Sequence, residues 1–340
     1  MPNDIRGKDL EVMVTALKKR EPRALSKAIT LLESKKKEDQ SFIRALLEVL
    51  PREQYQTYRL GVSGPPGVGK STFLNALVME ILTSTKDDVA ILTVDPTSSR
   101  SGGSILGDKT RMNDVASDKR VFIRPSPSGE AFDGTATSTR EAILLCEEAG
   151  FRWILVETVG VGQLDAEVRS ITDFFMFLTQ PSAGDEIQQI KRGNMEWADA
   201  LVVNKKDGTM EKEAAMLVDQ LRVVSTFYRI TDEEDKISVF GCSALNQTGV
   251  KQIYHHVERK LKQWWQQGVV QERRTIQNQI WFSRQLQHDV MHRVLEMSRL
   301  QEVKKDLELK VLSGDLTVYH ALSLMNKELD RYLAGEANVK

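Results

Sequence analysis

The segment 64–72, GPPGVGKST, constrains this chain more than any other. Four residues separate Gly64 from the Gly69-Lys70-Ser71 triplet, the spacing of a glycine-rich phosphate loop. The apolar run YRLGVS leads into it and the helical pattern TFLNALVMEIL leads out, so backbone amides can wrap a phosphate at a helix N-terminus. Gly64, Gly67 and Gly69 allow close approach and unusual backbone angles, with Pro65, Pro66, Val68 and Thr72 completing the cradle. Lys70 is placed to neutralise the terminal phosphates and the Ser71 hydroxyl to ligate magnesium. A purine nucleoside triphosphate is the implied ligand.

The phosphate loop opens a series of short apolar runs: VAILTVD, VFIRPS, WILVETVG, FFMFLTQ, ALVVNKKD and ISVFGCSA. Each is followed by a loop and often by a helical pattern. This alternation predicts an α/β fold, a mainly parallel sheet flanked by helices. Before it, Leu10, Val14, Leu17, Leu25, Ala28, Ile29, Leu32, Phe42, Leu46 and Leu50 recur at helical spacing. After about Val250 the pattern is helical again, with one stripe at Ile253, Val257, Leu261, Trp264 and Trp265 and another at Leu286, Val290, Val294 and Met297. The expected organisation is a helical N-terminal extension at 1–56, the nucleotide domain at 57–262 and a helical dimerisation arm at 263–340.

Asn204, Lys205 and Asp207 lie in NKKD, directly after the strand-like ALVV. A carboxylate there accepts hydrogen bonds from guanine N1 and its exocyclic amine, a pattern adenine cannot complete. GCSAL follows one strand later, where Ser243, Ala244 and Leu245 can support the base. GTP is therefore expected over ATP.

Asp95 in TVDPTSSR, Asp108 in GGSILGDKTRM and Glu157 in LVETVG are candidate magnesium ligands, direct or through water, because magnesium takes one or two carboxylates with phosphates and waters. Glu157-Thr158-Val159-Gly160 has the form of a gamma-phosphate sensor with Glu in place of the usual Asp, and the Gly160 amide would contact the gamma phosphate. Val161 stands where a Ras-like GTPase carries its water-positioning Gln, and Gln163 is two residues on, so slow intrinsic hydrolysis is expected.

Composition excludes other classes. The 340 residues carry 47 basic and 48 acidic side chains, a formal charge of −1, which gives no bulk attraction for nucleic acid. No apolar stretch approaches the roughly 18 residues that span a bilayer, so no membrane partner is expected. MPNDIRGKDLEVM has neither an apolar signal core nor transit-peptide character, and the two cysteines, Cys146 and Cys242, lie far apart, so the chain reads as cytoplasmic.

Beyond the phosphate loop, VDPTSSRSGGSILGDKTRMND, IRPSPSG, AILLCEEAGF, VETVGVGQ, GDEIQQIKRGNMEWAD, VVNKKDG and CSAL occur in this order. In them the chain closely resembles the MeaB/ArgK family of P-loop GTPases, the methylmalonyl-CoA mutase-associated G-protein chaperones, over roughly residues 10 to 330. The resemblance implies a GTPase chaperone that gates adenosylcobalamin loading into an acyl-CoA mutase such as methylmalonyl-CoA mutase and protects or reactivates it. It implies switch segments at 102–112, 157–173 and 184–194, a homodimer, and nucleotide or magnesium roles for Lys70, Asp95, Asp108 and Glu157. Gln189 and Asn194 depart from the family's usual glycine and apolar residue, as does GEAFDGTATSTR from its glycine-rich form. The alternatives are a transport-associated ATPase or kinase, which NKKD disfavours, and a nickel or cobalt metallochaperone, for which the chain has no His-rich tract or CxxC set.

Overall fold

A computed structural model describes residues 2–50, 56–95, 112–127, 132–158, 163–181, 197–227 and 236–334. The seven apolar runs form β1 (Tyr58–Ser63), β2 (Val89–Asp95), β3 (Val121–Pro127), β4 (Trp153–Thr158), β5 (Phe174–Thr179), β6 (Ala200–Val203) and β7 (Ser238–Gly241). They pair side by side in the order β3-β2-β4-β1-β5-β6-β7, and every adjacent pair is parallel, as the sequence predicts. A parallel sheet is covered on both faces, so its strands read as nearly continuous apolar runs.

Alternate strand residues enter two apolar clusters. Leu60, Val62, Ile91, Leu155 and Met176 pack with α4 (Lys70–Ser84), α5 (Asn113–Ala116) and α9 (Val250–Gln266). Ala90, Leu92, Ile154, Val156, Phe175 and Phe177 pack on the other face with α6 (Phe132–Glu148), α7 (Gln163–Arg169) and α8 (Glu211–Ser225). The amphipathic lead-in forms α1 (Pro2–Lys18), α2 (Pro22–Leu32) and α3 (Lys37–Val49), whose Leu17, Leu25, Ala28, Ile29, Ile43 and Leu46 join that second cluster. Each of the large aliphatic side chains among them contributes about 1.5–3 kcal/mol by leaving water.

The chain divides into two compact units, Met1–Arg274 and Thr275–Lys340. The second contains most of α10 (Val269–Glu296), then α11 (Ser298–Leu312) and α12 (Val318–Leu333). Within it α11 and α12 pack together, Arg299 Nε donates to Glu328 Oε1 at 2.6 Å, and Thr317 caps α12 through the His320 amide.

At the end of the sheet where β1 and β5 begin, the first unit buries a network of charges. Arg59 grips Glu147 with two bonds, Nε to Oε1 at 2.8 Å and Nη2 to Oε2 at 2.7 Å. Arg274 grips Asp173 likewise, Nε to Oδ1 at 2.8 Å and Nη2 to Oδ2 at 2.6 Å, and reaches Glu147 Oε1 at 3.4 Å. The Thr57 hydroxyl donates to Glu147 at 2.6 Å, and Arg274 stacks over Trp265 at 5.1 Å. Burial opposes ionisation of Glu147, but Arg59, Arg274 and Thr57 together hold its carboxyl below the usual range. Such a group stabilises the fold while it is ionised, and the contribution is lost as the pH falls through its depressed pKa.

Replacing Glu147 by Ala leaves two guanidinium groups buried without this partner. It should cost about 3 kcal/mol, read as a lower urea midpoint. The wild-type midpoint should fall as the pH drops below the ordinary carboxylate value of about 4.3, and the variant should lose part of that dependence. An unchanged midpoint in the variant would remove the network from the account of stability.

Candidate nucleotide-binding site

The phosphate loop joins the end of β1, in the middle of the sheet, to the start of α4, where open parallel sheets place their ligands. Its glycines are needed by packing as well as by conformation. Gly64 has φ +151°, and a Cβ there would lie 2.3 Å from the Leu178 carbonyl oxygen of β5. Gly69, at φ +91°, precedes the helix; a Cβ there would lie 2.8 Å from Asn204 Nδ2. Pro66 and Gly67 are exposed, Val68 is buried, and Pro65, Ser71 and Thr72 are half-buried.

Lys70 is buried, and its ammonium donates to the carbonyls of Gly64 at 2.7 Å and Pro65 at 3.1 Å. Burial pushes its pKa below the usual lysine value, against the opposing fields of Glu157 and Asp165. The cation is thus held among neutral carbonyls, with its charge available to an anion bound in the loop. Ser71 Oγ donates to Glu157 Oε1 at 3.0 Å. A hydroxyl and a carboxylate meeting at the head of α4 are the hard oxygen donors that magnesium prefers, so these two residues fit the cation expected here.

Asp95 ends β2, but its side chain lies outside the described residues, as do Asp108 and Gly160 and the segment 184–194. Of the expected first switch only its last residue, Met112, is described, and it is buried; just beyond it Val115 is buried and Asn75 Nδ2 of α4 donates to Asp114 Oδ2 at 2.9 Å.

The base-recognition residues follow β6 and β7. Asn204 Nδ2 donates to the Val68 carbonyl at 2.8 Å, while its Oδ1 accepts from the Ala244 amide at 3.0 Å. The Cys242 thiol lies 3.6 Å from the same Oδ1, and burial with the Asp207 charge pushes its pKa up to about 12, so it remains a donor at neutral pH. Lys205, at φ +62°, places Nζ 2.7 Å from the Gly67 carbonyl. The buried Ser243 hydroxyl donates to Asp207 Oδ2 and accepts from the Asn246 amide at 3.1 Å. Leu245 is 78% exposed beside this loop, leaving an apolar face open to a planar base. Ser243, Ala244 and Leu245 thus differ in role: the first orients the carboxylate, the second anchors Asn204, and the third offers apolar surface.

Thr158, expected only as part of the gamma-phosphate sensor, forms a buried polar cluster beside the phosphate loop with Ser63 and Asp165, to which the sequence pattern assigns no role. The available signal was a serine and a threonine ending two mostly apolar strands.

A phosphate loop after the central strand, with an Asn-Lys-x-Asp turn packed on it, defines a P-loop GTPase. The profile of the family described as methylmalonyl Co-A mutase-associated GTPase MeaB matches residues 25–299, and the chain belongs to that family. It is 39% identical over 279 residues to GTPase ArgK of Escherichia coli, covering 82% of this chain and 84% of that protein. A mouse protein named methylmalonic aciduria type A homolog, mitochondrial, is 35% identical over 335 residues, covering 96% of this chain and 80% of that protein. Among solved structures, an LAO/AO transport system kinase superposes with a TM-score of 0.72 at 30% identity, covering 94% of this chain and 97% of that one.

Two substitutions test the site by calorimetric titration. Lys70→Ala should abolish measurable GTP binding. Asp207→Asn should shift preference from guanine toward xanthine nucleotides, and full retention of guanine selectivity would defeat the role given to Asp207.

Proposed function

We propose that this chain is a cytoplasmic, GTP-hydrolysing chaperone of an adenosylcobalamin-dependent acyl-CoA mutase, with methylmalonyl-CoA mutase the first candidate. It gates loading of adenosylcobalamin into that enzyme and protects or reactivates it. The observation that carries this reading is the extent of the family match, which begins at residue 25 in the N-terminal helices and ends at residue 299, beyond the nucleotide domain. Likeness confined to the phosphate and base loops would support GTP binding alone. Likeness that continues through both helical flanks supports shared partner machinery, and the mouse relative, named for methylmalonic aciduria, spans nearly the whole chain.

The site supports the chemistry. Asp207, oriented by Ser243, would lose two hydrogen bonds on adenine and so penalise ATP. Ser71 and Glu157, with Asp95 and Asp108, would hold magnesium, which neutralises charge on the phosphates. Lys70 and Gly160 serve the terminal phosphate. Hydrolysis is slow in the isolated chain, because Val161 stands where a water-positioning glutamine would be needed, and is accelerated by the partner. A homodimer is supported by the arm, where Phe282, Leu286, Val290 and Met291 of α10 expose apolar surface in the single chain.

The second reading, a transport-associated kinase or ATPase, is favoured by the name of the superposing structure. Titration separates the two: GTP should bind at least about 100-fold more tightly than ATP, and equal affinities would favour the kinase. The chaperone reading is tested by affinity capture of a cobalamin-dependent mutase by the chain loaded with GDP or a non-hydrolysable GTP analogue. Nucleotide-dependent capture and a changed rate of adenosylcobalamin uptake are expected. Intact GTP binding with no association in either state would sink it.

A further inference from the structure

Ser63 is the last residue of β1, directly before the phosphate loop, and Thr158 is the last of β4, directly after Glu157. Both hydroxyls are fully buried, and both turn to the same partner, Asp165 in the first turns of α7. Thr158 Oγ1 donates to Ser63 Oγ at 2.7 Å and lies 3.2 Å from Asp165 Oδ1, while Ser63 Oγ donates to that same oxygen. Asp165 is 1% exposed. Burying a carboxylate is costly unless hydrogen bonds compensate, so a helix needing only to cover the sheet would carry an apolar residue here, as it does at Val168.

The arrangement ties together three parts of the catalytic apparatus. The residue before the phosphate loop, the residue after Glu157 and the head of the second switch helix share one acceptor oxygen. The field of Asp165 also reaches the Lys70 ammonium. Because Thr158 and Asp165 bracket residues 159–164, both ends of the stretch carrying Gly160 and Gln163 are fixed to β1 through the Ser63 hydroxyl.

We propose that Asp165 is a positioning residue for GTP hydrolysis. Acting through Ser63 and Thr158, it sets the second switch in register with the phosphate loop. Its carboxylate is turned to Ser63 and Thr158 at the strand ends, so its effect falls on the hydrolytic step and not on nucleotide binding. Well-placed groups give large rate advantages, and a displacement of about 1 Å can cost up to about 100-fold.

The inference rests on the GTPase reading, and single-turnover hydrolysis by the full chain with magnesium tests both. Asp165→Ala should slow hydrolysis by about tenfold or more while the affinity for a fluorescent GDP stays within about threefold. Asp165→Asn retains an acceptor oxygen of the same shape and should recover most of the rate. Ser63→Ala should slow hydrolysis in the same direction, and the Ser63→Ala, Asp165→Ala double variant should be little slower than the worse single one, because both belong to one hydrogen-bonded cluster. A wild-type rate in Asp165→Ala overturns the proposal. So does a parallel loss of GDP binding and hydrolysis in both Asp165 variants, which would make the carboxylate a structural or purely electrostatic element. Wild-type protein that binds GTP without hydrolysing it would instead overturn the enzymatic reading itself.

Discussion

The Asn204 carboxamide is the contact on which the site is assembled. Its amide nitrogen holds the Val68 carbonyl of the phosphate loop, and its oxygen holds the Ala244 amide and Cys242 thiol of the base loop. Each backbone group lies at a buried residue and would otherwise carry the cost of an unmade hydrogen bond. The contact also explains a glycine. Gly69 belongs to the phosphate-loop pattern, and in this fold any side chain there would strike the Asn204 amide. Residues far apart in sequence converge because β1, β6 and β7 are parallel and end on the same edge of the sheet.

The two ends of the sheet treat buried charge differently. Where β1 begins, Arg59 and Arg274 are each met by a carboxylate with two bonds. Where β1 ends, Lys70 meets two neutral carbonyls, and the nearest carboxylates act on it only through their fields. The first arrangement ties Glu147 of α6 and Arg274, the last residue of the first unit, to the sheet. The second keeps a cation in a partly dry setting, where its attraction for phosphate is stronger than in water. Stability and ligand binding are thereby separated along one strand.

Much of this was legible in the sequence because it is local. A parallel strand buried on both faces announces itself as an apolar run, and all seven runs became strands. The phosphate loop and NKKD are fixed-spacing patterns tied to a strand end. The long-range pairings left no such trace: Arg59 finds Glu147 88 residues away, and Arg274 reaches it across 127. Nor did amphipathic spacing in α1 to α3 reveal which surface their apolar faces would cover. The second cluster supplies the answer, since those faces pack with Ala142, Ile143 and Cys146 of α6. Asp165 was hidden for a related reason, as an acidic residue in a short helix reads as solvated until the fold buries it beside two hydroxyls.

The substitution of Glu for the usual Asp at 157 gains meaning from the strand register. Glu157 sits opposite Val62 on one side and Thr93 on the other, deep between β1 and β2. From there its carboxylate reaches Ser71 on the first turn of α4, a span helped by the extra methylene. On the proposed reading, a phosphate and a cation entering the loop would compete with this bond and with those from Lys70 to the Gly64 and Pro65 carbonyls. The affinity would then be a difference between two sets of bonds, with part of the ligand's interaction energy spent on rearrangement. Since Thr158 follows Glu157 in the chain and is bonded to Ser63, displacement of the Glu157 carboxylate acts on the strand end that also holds α7. On the proposed reading, nucleotide chemistry and the second switch would therefore be joined by adjacent residues on one strand, with Glu157 bonded to Ser71 of α4 and Thr158 to Asp165 of α7.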